Sequence, residues 1–278
     1  MFRSLYFPLL FILLFFILFT EAQSQNERML TYNSRNNGLV NNLTKAVAQD
    51  SLGFVWVATD EGLSRFNGMV FQNFLAGLPS NYVKSFLKTK NGALLAATDM
   101  GIVKIISKPD TAYFINIIKG SDQITDSTVH YPKLMMEDSK QNIWITDNKG
   151  IVCYRNKTLK RYAFDRTFKN INYQRTFSIV EMPSGNIFAF SPDGYAYFLD
   201  NKIDNFIEIK GLTQFQGVNF AIAINANTIL LATSLGIYEL KTDANNTILS
   251  HRNIFPDIDA SYIVQKNEYE FAISTWAS

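Results

Sequence analysis

Residues 50–66 read DSLGFVWVATDEGLSRF, a unit in which each part has its own physical reason. Asp50-Ser51-Leu52-Gly53 is a tight-turn sequence, with Gly53 supplying a positive φ without steric cost. Residues 54–59, FVWVAT, are β-branched and aromatic and read as a strand. Gly62 marks a second turn, residues 63–66 resume the alternation, and Asn67-Gly68 is a hairpin signal. The unit is strand, turn, strand, turn.

The same frame recurs downstream with fixed offsets: a turn residue, a large apolar residue three positions on, and Gly six positions after that. Residues 91–105 place Gly92, Leu95, Thr98 and Gly101 where Gly53, Trp56, Thr59 and Gly62 stood. Residues 138–154 keep Trp144 and Gly150, although Gln141 replaces the turn glycine. Residues 183–198 use Gly185, Phe188 and Gly194; residues 225–240 use Asn227, Leu230, Thr233 and Gly236; and a sixth copy begins at 266–278 with Glu268 and Phe271. From Gly62 through Gly101, Gly150 and Gly194 to Gly236 the steps are 39, 49, 44 and 42 residues, the period of a four-stranded propeller blade. Short alternating runs at 43–48, 82–87 and 177–180 upstream of the turns, and at 70–74 downstream, supply the remaining strands. The expected fold is all-β: a β-propeller of four-stranded antiparallel blades, in about six partial repeats, over residues 23–278.

Composition sets the outer bounds. Of 278 residues, 47% are hydrophobic and 18% charged, with 26 Lys+Arg against 24 Asp+Glu, which argues against whole-chain disorder and against a polycation that coats nucleic acid. The 23 Phe, 13 Tyr and 3 Trp predict an aromatic-rich core. With Cys153 the sole cysteine, no intramolecular disulfide forms, and the Cys and His spacings of zinc sites are absent. Residues 5–19, LYFPLLFILLFFILF, follow Arg3 and have the length of a signal-peptide apolar region rather than the roughly 20 residues of a spanning helix. Ala22 gives a cleavage position, so residues 1–22 read as an export signal and the mature chain as starting near Gln23.

The first copy resembles the two-component regulator propeller repeat, whose pattern is close to DxxGxxWxxTxxGLxRF followed by an Asn-Gly or Asp-Gly turn. Asp50, Gly53, Trp56, Thr59, Gly62, Leu63, Arg65, Phe66, Asn67 and Gly68 all match, and the phrases at 38–42 and 77–81 share its GLxxN approach. The resemblance runs from about residue 33 to the C-terminus and is strongest in the first two copies. It implies the periplasmic sensor region of a hybrid or sensor histidine kinase, on the outer face of a Gram-negative inner membrane. Such regions often hold two propellers of about seven blades, an immunoglobulin-like module, a membrane helix and a cytoplasmic output. None of those later parts occurs here, and Ala277 occupies the glycine position of a sixth copy that stops at Ser278. The chain therefore reads as the N-terminal part of a larger product, with ring closure requiring a strand from residues 30–32.

Candidate chemistry is sparse at this level. Trp56 and Trp144, mid-strand at equivalent positions, read as packing between blades, and Cys153, at the place of Arg65, as an inert thiol. His130 and His251 fall in different copies with no shared offset. The carboxylates Asp60, Glu61, Asp99, Asp126, Asp147 and Asp193 lie at or near loops, where a pair could act as in a glycosidase. No phosphate-binding or dinucleotide fingerprint is present, and no cofactor or metal is expected. The reading at this stage is that the chain is not an enzyme. In a four-stranded meander the loop after the second strand shares a face with the loop entering each blade, which gathers a candidate ligand-binding set: Asn42, Asp60, Glu61, Asn81, Tyr82, Asp99, Asn148, Lys149 and Asp193, beside Met100 and Ser234. The expected function is extracytoplasmic ligand sensing for a two-component receptor, with a small molecule such as an oligosaccharide as partner and a homodimer in the whole receptor. No nucleic acid is expected, and membrane contact only through the missing C-terminal part. The alternatives are a free-standing secreted binding or adhesion propeller and a propeller hydrolase or lyase.

Overall fold

Five sheets of four antiparallel strands and one of two follow one another along the chain in the computed structural model, which describes residues 30–275 apart from 124, 126, 173–174, 211–214, 216 and 244. Residues 33–278 form one unit and residues 1–32 another. The apolar segment 5–19, the cleavage position at Ala22, Asp126 and Ala277 lie outside the described residues. Among the described residues no helix is long and apolar enough to cross a membrane. Among the described residues one short helix, α1 (Ser34–Asn37), is capped by Asn33, whose side chain accepts from the Asn36 N–H, and precedes the first blade.

Blade 1 is β1 (Thr44–Gln49), β2 (Val55–Thr59), β3 (Gly62–Phe66) and β4 (Phe71–Phe74); blade 2 is β5 (Val83–Lys88), β6 (Leu94–Thr98), β7 (Gly101–Ser107) and β8 (Ala112–Lys119). Blade 3 is β9 (Leu134–Glu137), β10 (Ile143–Asp147), β11 (Gly150–Arg155) and β12 (Thr158–Tyr162); blade 4 is β13 (Ser178–Glu181), β14 (Ile187–Phe190), β15 (Ala196–Asp200) and β16 (Asn205–Glu208). Blade 5 is β17 (Val218–Asn225), β18 (Thr228–Thr233), β19 (Gly236–Thr242) and β20 (Ile248–Pro256), and the sixth sheet is β21 (Ala260–Gln265) paired with β22 (Phe271–Thr275). Within each blade neighbours in sequence are neighbours in the sheet, an up-and-down meander. The architecture is a β-propeller.

The core is divided into five apolar clusters, each held between consecutive sheets. Trp56 shares a cluster with Leu94 and Val103 of the next blade and meets its Phe114 edge-on (6.4 Å between ring centres), and Trp144 shares one with Phe177 and Tyr197 and meets Phe206 of the next blade (5.9 Å). The repeat motif now has a fuller physical account. Asp50 Oδ1 accepts from the backbone N–H groups of Leu52 (2.9 Å) and Phe54 (3.0 Å), and its Oδ2 from the Trp56 indole (2.8 Å). Asp138 serves Lys140 (2.9 Å), Asn142 (2.8 Å) and Trp144 (2.9 Å) in the same way. The acid closes the turn and satisfies the one polar atom of a buried indole, so acid and Trp occur together. Where Leu95, Phe188 or Leu230 replaces Trp, the residue six places earlier is Thr89, Met182 or Ile224. The recurrent third-strand glycine is equally constrained: at Gly236, with φ +127°, an added Cβ would meet the Phe255 carbonyl oxygen at 2.2 Å.

Two turn readings gain detail and one expectation is corrected. Asn67-Gly68 does open the β3–β4 hairpin, whose turn spans 67–70, with Asn67 Oδ1 accepting from both Met69 and Val70 N–H groups (2.9 Å each). Asn227 lies in a two-residue turn between β17 and β18, so that blade has no need of the glycine. Residues 30–32, expected to offer a closing strand, carry no strand.

Candidate functional site

The second-to-third-strand turns and the segments leading into each blade do share a face, called here the upper face. The Asp99 N–H donates to the Tyr82 carbonyl (3.1 Å), Asn148 to that of His130 (3.0 Å) and Ser234 to that of Gly217 (3.0 Å). A series of lysines stands beside them where the innermost strands begin. Lys45 pairs with Asp60 (3.3 Å), and Lys84 forms a nearly buried ion pair with Asp99. Lys133, only 6% exposed, donates from Nζ to the carbonyls of Asn172 and Arg175, the latter at 3.3 Å. Burial pushes the Lys84 ammonium down despite Asp99, and pushes that of Lys133 down to about 7, with the Lys84 cation adding to the effect and Asp147 and Asp99 opposing it. Fully buried Asp147 is held by both arms of Arg161 (2.9 and 2.7 Å) and by the His130 N–H (2.9 Å).

These contacts sort the sequence-derived set. Asp60 and Asp99 are each engaged by a lysine of their own blade. Asn42 Oδ1 accepts from the Ser34 N–H (2.7 Å) and anchors α1. Glu61, Asn81, Tyr82 and Lys149 are exposed, and Asn148 is half-buried. Of the nine residues, Asp193 alone lines the cleft described next. Cys153 is buried, its thiol pushed up to about 11 by that burial. Among the described residues no three His, Cys, Asp or Glu side chains come together.

A cleft of about 500 Å³ opens between the β14–β15 turn, the connector after blade 4 and the long segment 163–177 that joins blades 3 and 4. Backbone hydrogen bonds from Gly217 to Pro192 (3.1 Å) and from Ser234 to Gly217 (3.0 Å) tie its floor. Gly217, at φ +66°, leaves room there: a Cβ would lie 2.0 Å from Ser234 Oγ. The walls carry Arg166, Lys169, Asn170, Arg175, Asp193 and Tyr195. Arg166 stacks on Tyr195, 3.7 Å from the ring centre, and pairs with Glu208 (2.6 Å). Asp193 accepts from Asn170 Nδ2 (2.7 Å) and N (3.3 Å). Lys169 and the Arg175 guanidinium have no carboxylate partner among the described residues. Lys133 clamps this wall to blade 3 through the Asn172 and Arg175 carbonyls. The basic residues were missed in the sequence because segment 163–177 lies outside the repeat frame. Their signal was local charge: Lys160, Arg161, Arg166, Lys169 and Arg175 fall within 16 residues.

No family model and no curated protein matches the chain. Solved structures do. The extracellular domain assigned to a hybrid two-component system of B. thetaiotaomicron superposes with a TM-score of 0.63 at 19% identity, covering 82% of this chain and 31% of that one. Virginiamycin B lyase from Staphylococcus aureus gives 0.62 at 12% identity over 84% of this chain and 78% of its own, and a gluconolactonase from Xanthomonas campestris 0.52 at 9% over 84% and 83%. This chain thus spans under a third of the length of that extracellular domain. The exclusion of enzymatic activity drawn from the sequence is corrected by these neighbours: a scaffold of the same architecture carries a lyase and a lactonase, so the fold cannot be used to set catalysis aside. At these identities the likeness is one of fold, and the chain is a β-propeller whose neighbours include an extracellular domain assigned to a hybrid two-component system.

Proposed function

We propose that this chain is the ligand-sensing propeller region of an extracytoplasmic two-component receptor. The observation that carries the reading is the likeness over 82% of the chain to an extracellular domain assigned to a hybrid two-component system. The DxxGxxW units at 50–56 and 138–144 point the same way, one complete and one with Gln141 for its glycine. In this reading residues 1–22 direct export to the periplasmic side, and a kinase or other regulator beyond residue 278 supplies the output. The exposed upper-face side chains Glu61, Asn81, Tyr82 and Lys149, together with the cleft at Asp193, receive a small molecule. Asp60 and Asp99, engaged by Lys45 and Lys84, keep that face rigid.

The test is genetic and biochemical together. Deleting the gene is expected to abolish induction of a defined gene set by a small molecule that also binds the purified full chain. Unchanged transcription across a broad nutrient panel, with the protein recovered free in the culture medium, overturns the receptor reading.

A further inference from the structure

The cleft between blades 4 and 5 differs in charge from the upper face of blades 1 and 2. Along the lysine series of blades 1 and 2 each cation has an acid: Lys45 has Asp60 and Lys84 has Asp99. The cleft walls carry three cations against one carboxylate, Asp193, which accepts hydrogen bonds from the neutral Asn170 amide and keeps its charge and its remaining lone pairs. Arg166 is shared with Glu208, whereas Lys169 and Arg175 have no acid among the described residues. Two side-chain cations with no acid, set in a concave wall, favour a negatively charged occupant, since the low-dielectric walls strengthen their attraction for it.

The rest of the lining describes the body of that occupant. Asn170, Thr167 and Ser234 present amide and hydroxyl groups, and Asp193 presents carboxylate oxygen, groups that exchange hydrogen bonds with hydroxyls rather than pack against hydrocarbon. The cleft's volume of about 500 Å³ suits a molecule of one or two sugar rings. We propose that the cleft is a binding site for a polyhydroxylated anion, one carrying a carboxylate or sulfate group, with Lys169 and Arg175 holding the charge and Asn170 and Asp193 reading the hydroxyls. This assignment rests on the sensor reading and names the chemical class of its signal. Lys133 is the positioning residue: its bonds to the Asn172 and Arg175 carbonyls fix the segment that presents both cations.

The test is isothermal titration of the full chain with four probes: a glucuronate-containing disaccharide, a sulfated disaccharide, inorganic sulfate and neutral cellobiose. One or both acidic disaccharides are expected to bind, and their comparison distinguishes a carboxylate from a sulfate source. Cellobiose is expected not to compete, and raising NaCl from about 0.05 to about 0.5 M weakens the binding. Lys169→Gln and Arg175→Gln each weaken it about tenfold or more; the melting temperature is unchanged for exposed Lys169, and for half-buried Arg175, whose guanidinium has no carboxylate partner among the described residues, it shifts little. Binding that survives the double variant, or cellobiose binding as tightly as the acids, overturns the assignment and leaves the sensor reading standing. Absence of binding by every anionic probe overturns it as well. Failure of the sensor reading is seen separately, in unchanged gene induction.

Discussion

Asp138 is only 2% exposed, yet its carboxyl sits below the ordinary carboxylate range. Burial alone would raise it; the hydrogen bonds from Asn142, Trp144 and Lys140 outweigh that and favour the charged form. A carboxylate depressed on folding contributes stability that is fully present above its unfolded value near 4 and is lost as pH falls through the folded one. Asp138→Asn is therefore expected to cost about 1–3 kcal/mol in urea denaturation at pH 7, and the gap to the parent should shrink below about pH 4. Lys133 has the opposite sense. Its folded value of about 7 lies below that of an unfolded lysine, about 10.4, so between those limits the unfolded chain binds more protons. Its burial cost is complete below pH 7 and is relieved as pH rises, adding up to about 1.4 kcal/mol of stability per pH unit between about 7 and 10. A neutral amine keeps two N–H groups, enough for both carbonyls it now serves. Lys133→Met should lose that slope, which denaturation at pH 7, 8 and 9 would reveal; parallel curves for the two proteins would contradict the depressed value.

At the scale of elements, the turn between first and second strand shows how far the frame dictates geometry. Gly53, Gly92 and Gly185 hold φ between +83° and +88° there, and Gln141, at the same position in blade 3, is forced to +64°. A side chain in the left-handed region costs about 1–2 kcal/mol, of which glycine returns part through its greater unfolded-state entropy. Gln141→Gly is expected to stabilise by up to about 1 kcal/mol, seen as a small rise in melting temperature. The second and third strands of the blades were legible from turn glycines and β-branched runs to within a residue or two, because tight turns and sheet alternation are local, whereas most outer strands, such as those at 112–119 and 205–208, had no turn signal to fix them. The Asp–Trp bond was half legible: both residues stood in the motif, but their contact needs the turn to bring positions six apart together. Least legible was the cleft. Segment 163–177 has no periodicity to align, so only its charge hinted at a role, and the pairing of Asp60 and Asp99 with lysines required knowing which strand starts face which turns.

Across the whole molecule, hydrogen bonds between neighbouring sheets keep the period of the sequence. Arg65 reaches Lys108 O, Lys90 reaches Asp138 O, Ser139 reaches Glu181, Ser178 Oγ accepts from Ala221 and Asn219 reaches Ala260 O, at separations of 41 to 48 residues. Each apolar cluster likewise belongs to two adjacent sheets, so stability is a chain of nearest-neighbour terms, as in other repeat architectures. The Arg65 guanidinium is the clearest single link. It lies on the Phe54 ring at 4.1 Å and donates to Lys108 O (2.6 Å), Thr111 O (3.0 Å), Pro109 O (3.2 Å) and Ser107 Oγ (3.1 Å), gathering the β7–β8 turn of the next blade. Arg65→Met strands those carbonyls without touching blade 5. If the terms are local, amide hydrogen exchange should rise about tenfold or more around 108–111 and stay unchanged in β18 and β19. A uniform rise through every blade would instead mean that the sheets open together, and that a signal bound in one cleft is felt by the whole propeller rather than by its neighbours alone.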